Sequence, residues 1–299
     1  MPQTKQAASP TFSFEIFPPN TQVGAEKIIT TLEALQGLSP DFISVTCSGD
    51  KTKIEQTTIK LADYVANQLH IPAVAHLPAA YLDKTQVARI LQKLEAAGVT
   101  RILALRGDID PAVAPKNDFH YADDLVRFIK ECAPHFEVSG ACYPEVHPES
   151  FSQLSDIRFL KQKTAAGCQH LTTQLFFDNE IFFDFEERCR LAEINVPILA
   201  GVMPITNRKQ ALRLIKTSAA KLPRKFTAIL DRYEHDPAAL RDAGIAYAVD
   251  QIADLVTQGV AGVHLYTMNN AETARTIFNA TRSLFRACQN EPAPQALFA

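Results

Sequence analysis

Apolar residues in this chain fall into short runs that each stop at a polar or charged group, and the stretches between them carry apolar positions three and four apart. Thr100-Arg101-Ile102-Leu103-Ala104-Leu105-Arg106-Gly107-Asp108 shows the pattern at its clearest. Residues 101–105 read as a buried strand, and a cation, a glycine and a carboxylate form its C-terminal lip. The other strands are expected over 12–17, 42–46, 73–76, 136–142, 170–173, 197–203 and 262–266. In the first, Phe12, Phe14 and Ile16 share one face and Ser13, Glu15 and Phe17 the other, before Pro18-Pro19 ends it.

Between the strands the period changes to that of helices. Ile28, Ile29, Leu32 and Leu35 predict a helix over 24–38. Others are expected over 54–69, 122–132, 156–166, 208–218, 244–257 and 271–288. Asp83 with Gln86 three residues on forms a capping box, Val87, Ile90, Leu91 and Leu94 make the stripe that follows, and Gly98 ends that helix. Asp178 or Asn179 caps the helix carrying Ile181, Phe182, Phe185 and Cys189. Residues 221–257 exceed what one crossover needs, and 109–120 form a loop long enough to bind something.

Eight strands alternating with helices predict a parallel sheet covered by helices, and eight such units favour an α/β fold of the (β/α)8 TIM-barrel type over an open sheet. An open dinucleotide-binding sheet also carries G-x-G-x-x-G after a strand, and that pattern occurs nowhere here. One catalytic domain is expected over 12–289, with loose ends at 1–11 and 290–299.

Composition narrows the functional classes. With 46% hydrophobic and 21% charged residues among 299, the chain reads as a soluble globular protein. A net charge of -3 and a pI near 6.2 speak against a nucleic-acid or membrane-surface partner. No apolar stretch approaches the roughly 20 residues of a bilayer span, and 1–11 lacks the apolar centre of a signal peptide, so a cytoplasmic protein is expected. The six cysteines are scattered without a C-x-x-C pair, which suggests neither a zinc site nor a disulfide framework.

The strand lips carry Glu15, Thr46, His76, Arg106 with Asp108, Tyr143 with His147, Gln174, Asn207 and Tyr266. Two chemistries can use such a set. A metal-dependent lyase or hydrolase takes His76, His147, Asp108 and Glu15 as ligands, but the closely spaced histidine pair that such sites start from is missing, and no metal is expected. An organic cofactor takes Arg106 and Lys163 against a diphosphate. Glu15, flanked by Phe14, Ile16 and Phe17, is expected to be desolvated, held protonated and able to act as a general acid. Each residue also has a plainer reading: a satisfied buried histidine at His76, a solvated helix lysine at Lys163, a rim residue at Tyr266, and in sum a catalytically silent barrel.

Phe12-Ser13-Phe14-Glu15-Ile16-Phe17-Pro18-Pro19, Ala104-Leu105-Arg106-Gly107-Asp108, Tyr143-Pro144-Glu145-Val146-His147-Pro148-Glu149, Thr173-Gln174-Leu175-Phe176-Phe177-Asp178 and His264-Leu265-Tyr266-Thr267-Met268-Asn269 resemble, in order, the motifs of the methylenetetrahydrofolate reductases. The resemblance runs from about residue 12 to 285. It implies a barrel that holds FAD across its strand ends and reduces 5,10-methylenetetrahydrofolate to 5-methyltetrahydrofolate by ping-pong use of NADH or NADPH, in the one-carbon metabolism that feeds methionine. By motif, Glu15 matches the general acid that protonates N10, and Asp108 the aspartate beside flavin and pterin that favours a cationic iminium. Thr46, His76, Arg106, Gly107, Asp108, Tyr121, Ala122, Tyr143, His147, Asp156 and Lys163 match flavin-binding positions. Gln174 and Gln210 match residues that meet the substrates.

Three positions depart from the family pattern, and two of them join Tyr266 as expected substrate contacts. Cys47-Ser48 stands where Tyr-Gly is common, Leu214 where a stacking phenylalanine is common, and Asn270 where an arginine often follows. Arg208 or Lys209 is expected to supply the cation for the folate's glutamate tail. The resemblance also implies a homo-oligomer of the short bacterial form, without a regulatory domain and without inhibition by adenosylmethionine.

Overall fold

The computed structural model describes residues 9–19, 21–47, 54, 56–209, 211–212 and 220–290. Eight parallel strands close into one barrel in chain order. They are β1 (Thr11–Ile16), β2 (Phe42–Val45), β3 (Ala73–Pro78), β4 (Arg101–Leu105), β5 (Glu137–Cys142), β6 (His170–Thr173), β7 (Ile198–Val202) and β8 (Gly262–Tyr266). The expected (β/α)8 architecture is therefore present. Helices α1 (Gln22–Gln36), α2 (Thr58–Asp63), α3 (Lys84–Ala96), α4 (Ala122–Cys132), α5 (Gln153–Ala165), α6 (Asn179–Leu191), α7 (Arg224–Arg232), α8 (Pro237–Thr257) and α9 (Ala271–Asn290) are the described helices outside it.

Alternation along each strand divides the residues between two cores. Phe12, Phe14 and Ile16 point outward, and Phe12 meets Phe278 and Phe285 of α9 edge to face with ring centroids 5.2 and 5.1 Å apart. Each such buried side chain contributes about 1.5–3 kcal/mol of burial free energy, so the shell between strands and helices holds the barrel closed. The inward positions are unlike those of most barrels, where branched aliphatic residues dominate. Here Ser13, Ser44, His76, Ser139, His170, Thr172 and His264 share the inside with Phe42, Val74 and Leu103.

Several element boundaries differ from the expected ones. Instead of one helix over 54–69, α2 passes into a π-turn over Tyr64–Gln68, closed by the Leu69 N–H on the Tyr64 carbonyl, which keeps Val65, Leu69 and Ile71 all buried. Ser152 and Ser155 build a capping box that starts α5 three residues early. Residues 221–257 hold two helices where one was expected. Asp236 caps α8 with Pro237 in its first turn, and α7 lies over a second apolar cluster with Phe226 and Leu230 against Phe177 and Leu240. Most of the loose ends expected over 1–11 and 290–299, most of the expected helix over 208–218, and Gln210 and Leu214 lie outside the described residues.

Helix α8 can sit against the loop after β7 because Gly244 has no side chain there; a Cβ would overlap the Ile205 carbonyl. Substituting Gly244→Ala must push backbone against backbone, and overpacking of this kind costs about 1–3 kcal/mol. Urea denaturation of G244A is expected to show a lower midpoint with an unchanged slope.

Candidate active site

Strand β1 delivers Glu15 to the C-terminal mouth of the barrel, where register sets it beside Ser44 of β2 and Tyr266 of β8. Its carboxylate lies 3.6 Å from His76 Nε2 and 3.6 Å from His264 Nε2, and its side chain is one-fifth exposed. The surroundings correct the expected picture. Phe14 and Ile16 face the outer core, so histidines and a tyrosine enclose Glu15 rather than phenylalanines. A side chain on a strand sees its cross-strand neighbours, and the residues flanking it in sequence point the other way.

His76 is buried, and burial lowers its pKa to about 4 against the opposing pull of Glu15; His264 lowers it further. At neutral pH the His76 ring is therefore uncharged, and its 3.6 Å approach to the Glu15 carboxyl is not an ion pair. Among the described residues His76 Nε2 has no hydrogen-bond partner. His264, which the sequence reading passed over inside an apolar run, is held on both ring nitrogens. Ser13 Oγ lies 2.7 Å from Nδ1 and Ser44 Oγ 3.0 Å from Nε2.

The chain after β8 clasps Glu15 from behind. Thr267 Oγ1 donates to the Glu15 carbonyl at 2.6 Å, and the Asn269 amide both accepts from the Phe17 N–H at 3.0 Å and donates to the Phe17 carbonyl at 2.8 Å. Met268 and Asn269 adopt φ of 51° and 56° to make this turn. Asn270, expected near substrate, accepts from the Thr273 N–H at 3.0 Å and so caps α9.

Tyr266 is no rim residue: its hydroxyl donates to the Thr173 carbonyl at 2.6 Å, over a floor at Gly201 that no side chain could share. Burial, reinforced by Glu15, pushes that hydroxyl well above its usual pKa. Gln174 accepts from the Leu175 N–H at 2.9 Å. The Thr46 N–H pairs with the Ile16 carbonyl at 2.9 Å, which ties the end of β2 to the end of β1.

A cationic flank lies on the β4–β5 side. Arg106 makes a two-pronged pair with Glu149 at 2.6 and 2.7 Å and donates from Nε to the Gly107 carbonyl at 3.2 Å. Of the five N–H groups of a guanidinium, two remain. Gly107 takes φ +85°, which a side chain would strain. Lys163 was expected to have a solvated alternative, but it turns inward from α5 and donates to the Ala141 carbonyl at 2.7 Å. Arg106 and Lys163 both act to lower the pKa of His147, though its burial does most of this.

The Tyr143–Glu149 segment folds around Asp156. That carboxylate accepts from the His147 N–H at 3.1 Å and the Ser150 hydroxyl at 3.0 Å, and the Glu149 N–H donates to His147 Nδ1 at 3.1 Å. Tyr143 stands edge-on to His147 with centroids 4.6 Å apart, and burial, with Asp108 next, raises its pKa to about 12. Beyond them Tyr121, which precedes Ala122 at the start of α4, stacks on Phe159 at 6.4 Å with both rings exposed. Arg208 pairs with Glu234 at 2.9 Å.

The expected site residues from β1, β3, β4, β5 and β8 thus share one mouth, with cations on one flank and the Glu15 cluster at the centre. The donor set fits an organic anion with aromatic rings. It offers a guanidinium with two open N–H groups, an inward ammonium, an unpartnered imidazole nitrogen and exposed stacked aromatics. Among the described residues no group of three or more His, Cys, Asp or Glu is arranged to hold a metal, and none of the helices is long and apolar enough to cross a membrane.

Comparison with known proteins adds an independent line. A family model described as methylenetetrahydrofolate reductase matches residues 1–282. A 5,10-methylenetetrahydrofolate reductase of Pectobacterium carotovorum is 34% identical over 265 residues, covering 89% of this chain and 88% of that one. The corresponding protein of Escherichia coli is 33% identical with the same coverage. Methylenetetrahydrofolate reductase (NADH) 1 of Arabidopsis thaliana is 32% identical over 88% of this chain but only 47% of its own length. In fold, the chain is similar to an uncharacterised Clostridium thermocellum protein described as binding two copies of 5-methyl-5,6,7,8-tetrahydrofolic acid, with a TM-score of 0.65, 15% identity and coverage of 94% and 96%.

The buried neutral His76 has a measurable consequence. Its pKa is about 4 in the folded chain, below the ordinary value of 6.5, so the unfolded chain binds more protons across that window. Stability is full above 6.5 and falls as pH drops towards 4, by about 3 kcal/mol from this group. Urea denaturation at pH 7 and pH 5 is expected to show about 2 kcal/mol of this loss, and His76→Asn to flatten it.

Proposed function

The chain belongs to the methylenetetrahydrofolate reductase family, and on that premise we propose that it reduces 5,10-methylenetetrahydrofolate to 5-methyltetrahydrofolate, with FAD as its cofactor and NADH or NADPH as the donor, in two alternating half-reactions. A bound FAD supplies the hydride carriage between the two substrates. The observation that supports the reading best is Glu15: a partly exposed carboxyl at the barrel mouth, backed by His76 and His264.

The cationic flank suits the diphosphate of the cofactor. Arg106 would meet phosphate oxygens with its two open N–H groups while keeping Glu149, and Lys163 would add a point charge from the end of β5. By resemblance Thr46, His76, Gly107, Tyr143, His147 and Asp156, with Tyr121 and Ala122, are assigned to the same cofactor. Asp156 acts on binding through the Tyr143–Glu149 segment it holds in place.

The reaction needs one proton at N10 of the folate to open its five-membered ring to an iminium at N5. Glu15 is the carboxyl placed to give it. Asp108, close enough to Arg106 and Tyr143 to act on both electrostatically, supplies the negative charge that favours the cation formed. Tyr266 borders Glu15 across the strands, and Gln174, Gln210, Leu214 and Asn270 are assigned to substrate by resemblance.

Replacing Glu15 separates the two half-reactions. In Glu15→Gln, loss of the proton donor is expected to slow the folate half-reaction by ~10²–10⁴-fold. Reduction of the bound flavin by NADH or NADPH stays within about threefold of the unaltered protein. Anaerobic stopped-flow absorbance reads both, and equal loss in both halves contradicts the assigned role.

A further inference from the structure

Below Glu15 the barrel axis continues as a column of hydrogen-bonding groups that the mouth does not use. His264 stands under Glu15, held by Ser13 and Ser44. A cavity of about 10 Å³ follows, lined by Ser44, Ser139, His170, Thr172 and His264 together with His76 and apolar side chains. That is the scale of one water, and the polar lining exceeds the two to four partners such a water needs. At the far side His170 Nδ1 lies 3.4 Å from Glu137, which pairs with Arg101 at 3.0 Å. Both of these side chains are more than a third exposed, so the column opens to solvent at the bottom of the barrel.

The groups between Glu15 and His170 are buried. His264 is 2% exposed, Ser44 2%, Ser139 2% and Thr172 8%. Hydrogen bonds offset the cost of burying these groups, but the interior forgoes the aliphatic packing usual in such barrels, which leaves room for a second role. The proposed reaction supplies one: each turnover consumes one proton from solvent, and Glu15 must regain it before the next folate is reduced.

We infer that this column is a proton path, carrying protons from the bottom of the barrel past Glu137 and His170, through the water-sized cavity, to His264 and Glu15. The inference rests on the functional reading above. One proton enters at the His170 end for each one that Glu15 gives to N10, each group passing one on and receiving one, so the column returns to its starting state. His170 touches neither substrate nor cofactor and acts only through Glu15.

Two substitutions at one position separate conduction from packing. His170→Phe plugs the column while keeping a ring in place. His170→Ala leaves a gap that water can fill. A structural role predicts more damage from the alanine, through the cavity it leaves. The path predicts the reverse: in repeated turnover, where Glu15 must be reloaded each cycle, the kcat for methylenetetrahydrofolate of H170F is about tenfold below that of H170A and carries a larger solvent isotope effect, while stopped-flow reduction of the flavin by NADH or NADPH is alike in both. Thr172→Val, which removes a hydroxyl from the cavity, is expected to fall on the slow side with a melting temperature near that of the unaltered protein.

A second readout needs no cofactor. In protein labelled with ¹⁵N-histidine, the ring nitrogens of His264 are expected to show an inflection that follows protonation of His170. The groups facing this pair are Glu137 and Arg101 beside His170, and Glu15, His76 and Tyr266 beside His264. That inflection disappears in H170F. Equal folate rates in H170F and H170A, or no inflection in the unaltered protein, overturns the path. Failure of the unaltered protein to reduce methylenetetrahydrofolate at all overturns the functional reading on which it rests.

Discussion

Closing eight parallel strands into a ring fixes the height of every inward side chain, and this constraint decides the chemistry of the mouth. Glu15 cannot shift along β1 without carrying Phe12, Phe14 and Ile16 out of the apolar shell that they fill. In the resulting register Ser44 and Tyr266 are its neighbours across the strands, and His76 and His264 lie within 3.6 Å. The Thr267–Asn269 clasp then holds the backbone of Glu15 and Phe17 from outside the sheet. The position of one carboxyl is thus a property of the whole barrel.

Much of this could be read from the chain, because the outer face of each strand is apolar and the helices between them keep their stripes and caps. The capping box at Asp83, the strand lip at Arg106-Gly107-Asp108 and the eightfold alternation all follow from local patterns. What local pattern cannot show is who stands opposite whom. Phe14 and Ile16 adjoin Glu15 in sequence yet face away from it, whereas His264 lies 249 positions on and meets it, an interval that only the β1–β8 pairing closes. Lys163 reads as a solvated helix lysine because its inward turn depends on the bare backbone of Gly140, whose Cβ would strike it. Asn270 reads as a substrate contact by its place in a motif, and in the fold it caps α9.

The polar interior explains both the strength and the weakness of this design. Serine, threonine and histidine inside a barrel forgo the packing that branched aliphatic side chains give. They are tolerated where each finds a partner, as Ser13 and Ser44 do on His264 and Ser139 does on the Ile102 carbonyl. Among the described residues His76 Nε2 is left without a partner, next to the Glu15 carboxyl. An unsatisfied buried nitrogen at that position is a cost to the fold and an asset to a ligand that can satisfy it.

The account stands or falls on whether this mouth joins a flavin to a folate. Anaerobic titration of the purified protein loaded with FAD tests that directly. The account predicts that NADH or NADPH bleaches the flavin absorbance and that methylenetetrahydrofolate then restores it in stoichiometric amount, without oxygen. A protein that takes up no FAD, or a reduced flavin that stays bleached when methylenetetrahydrofolate is added, contradicts it.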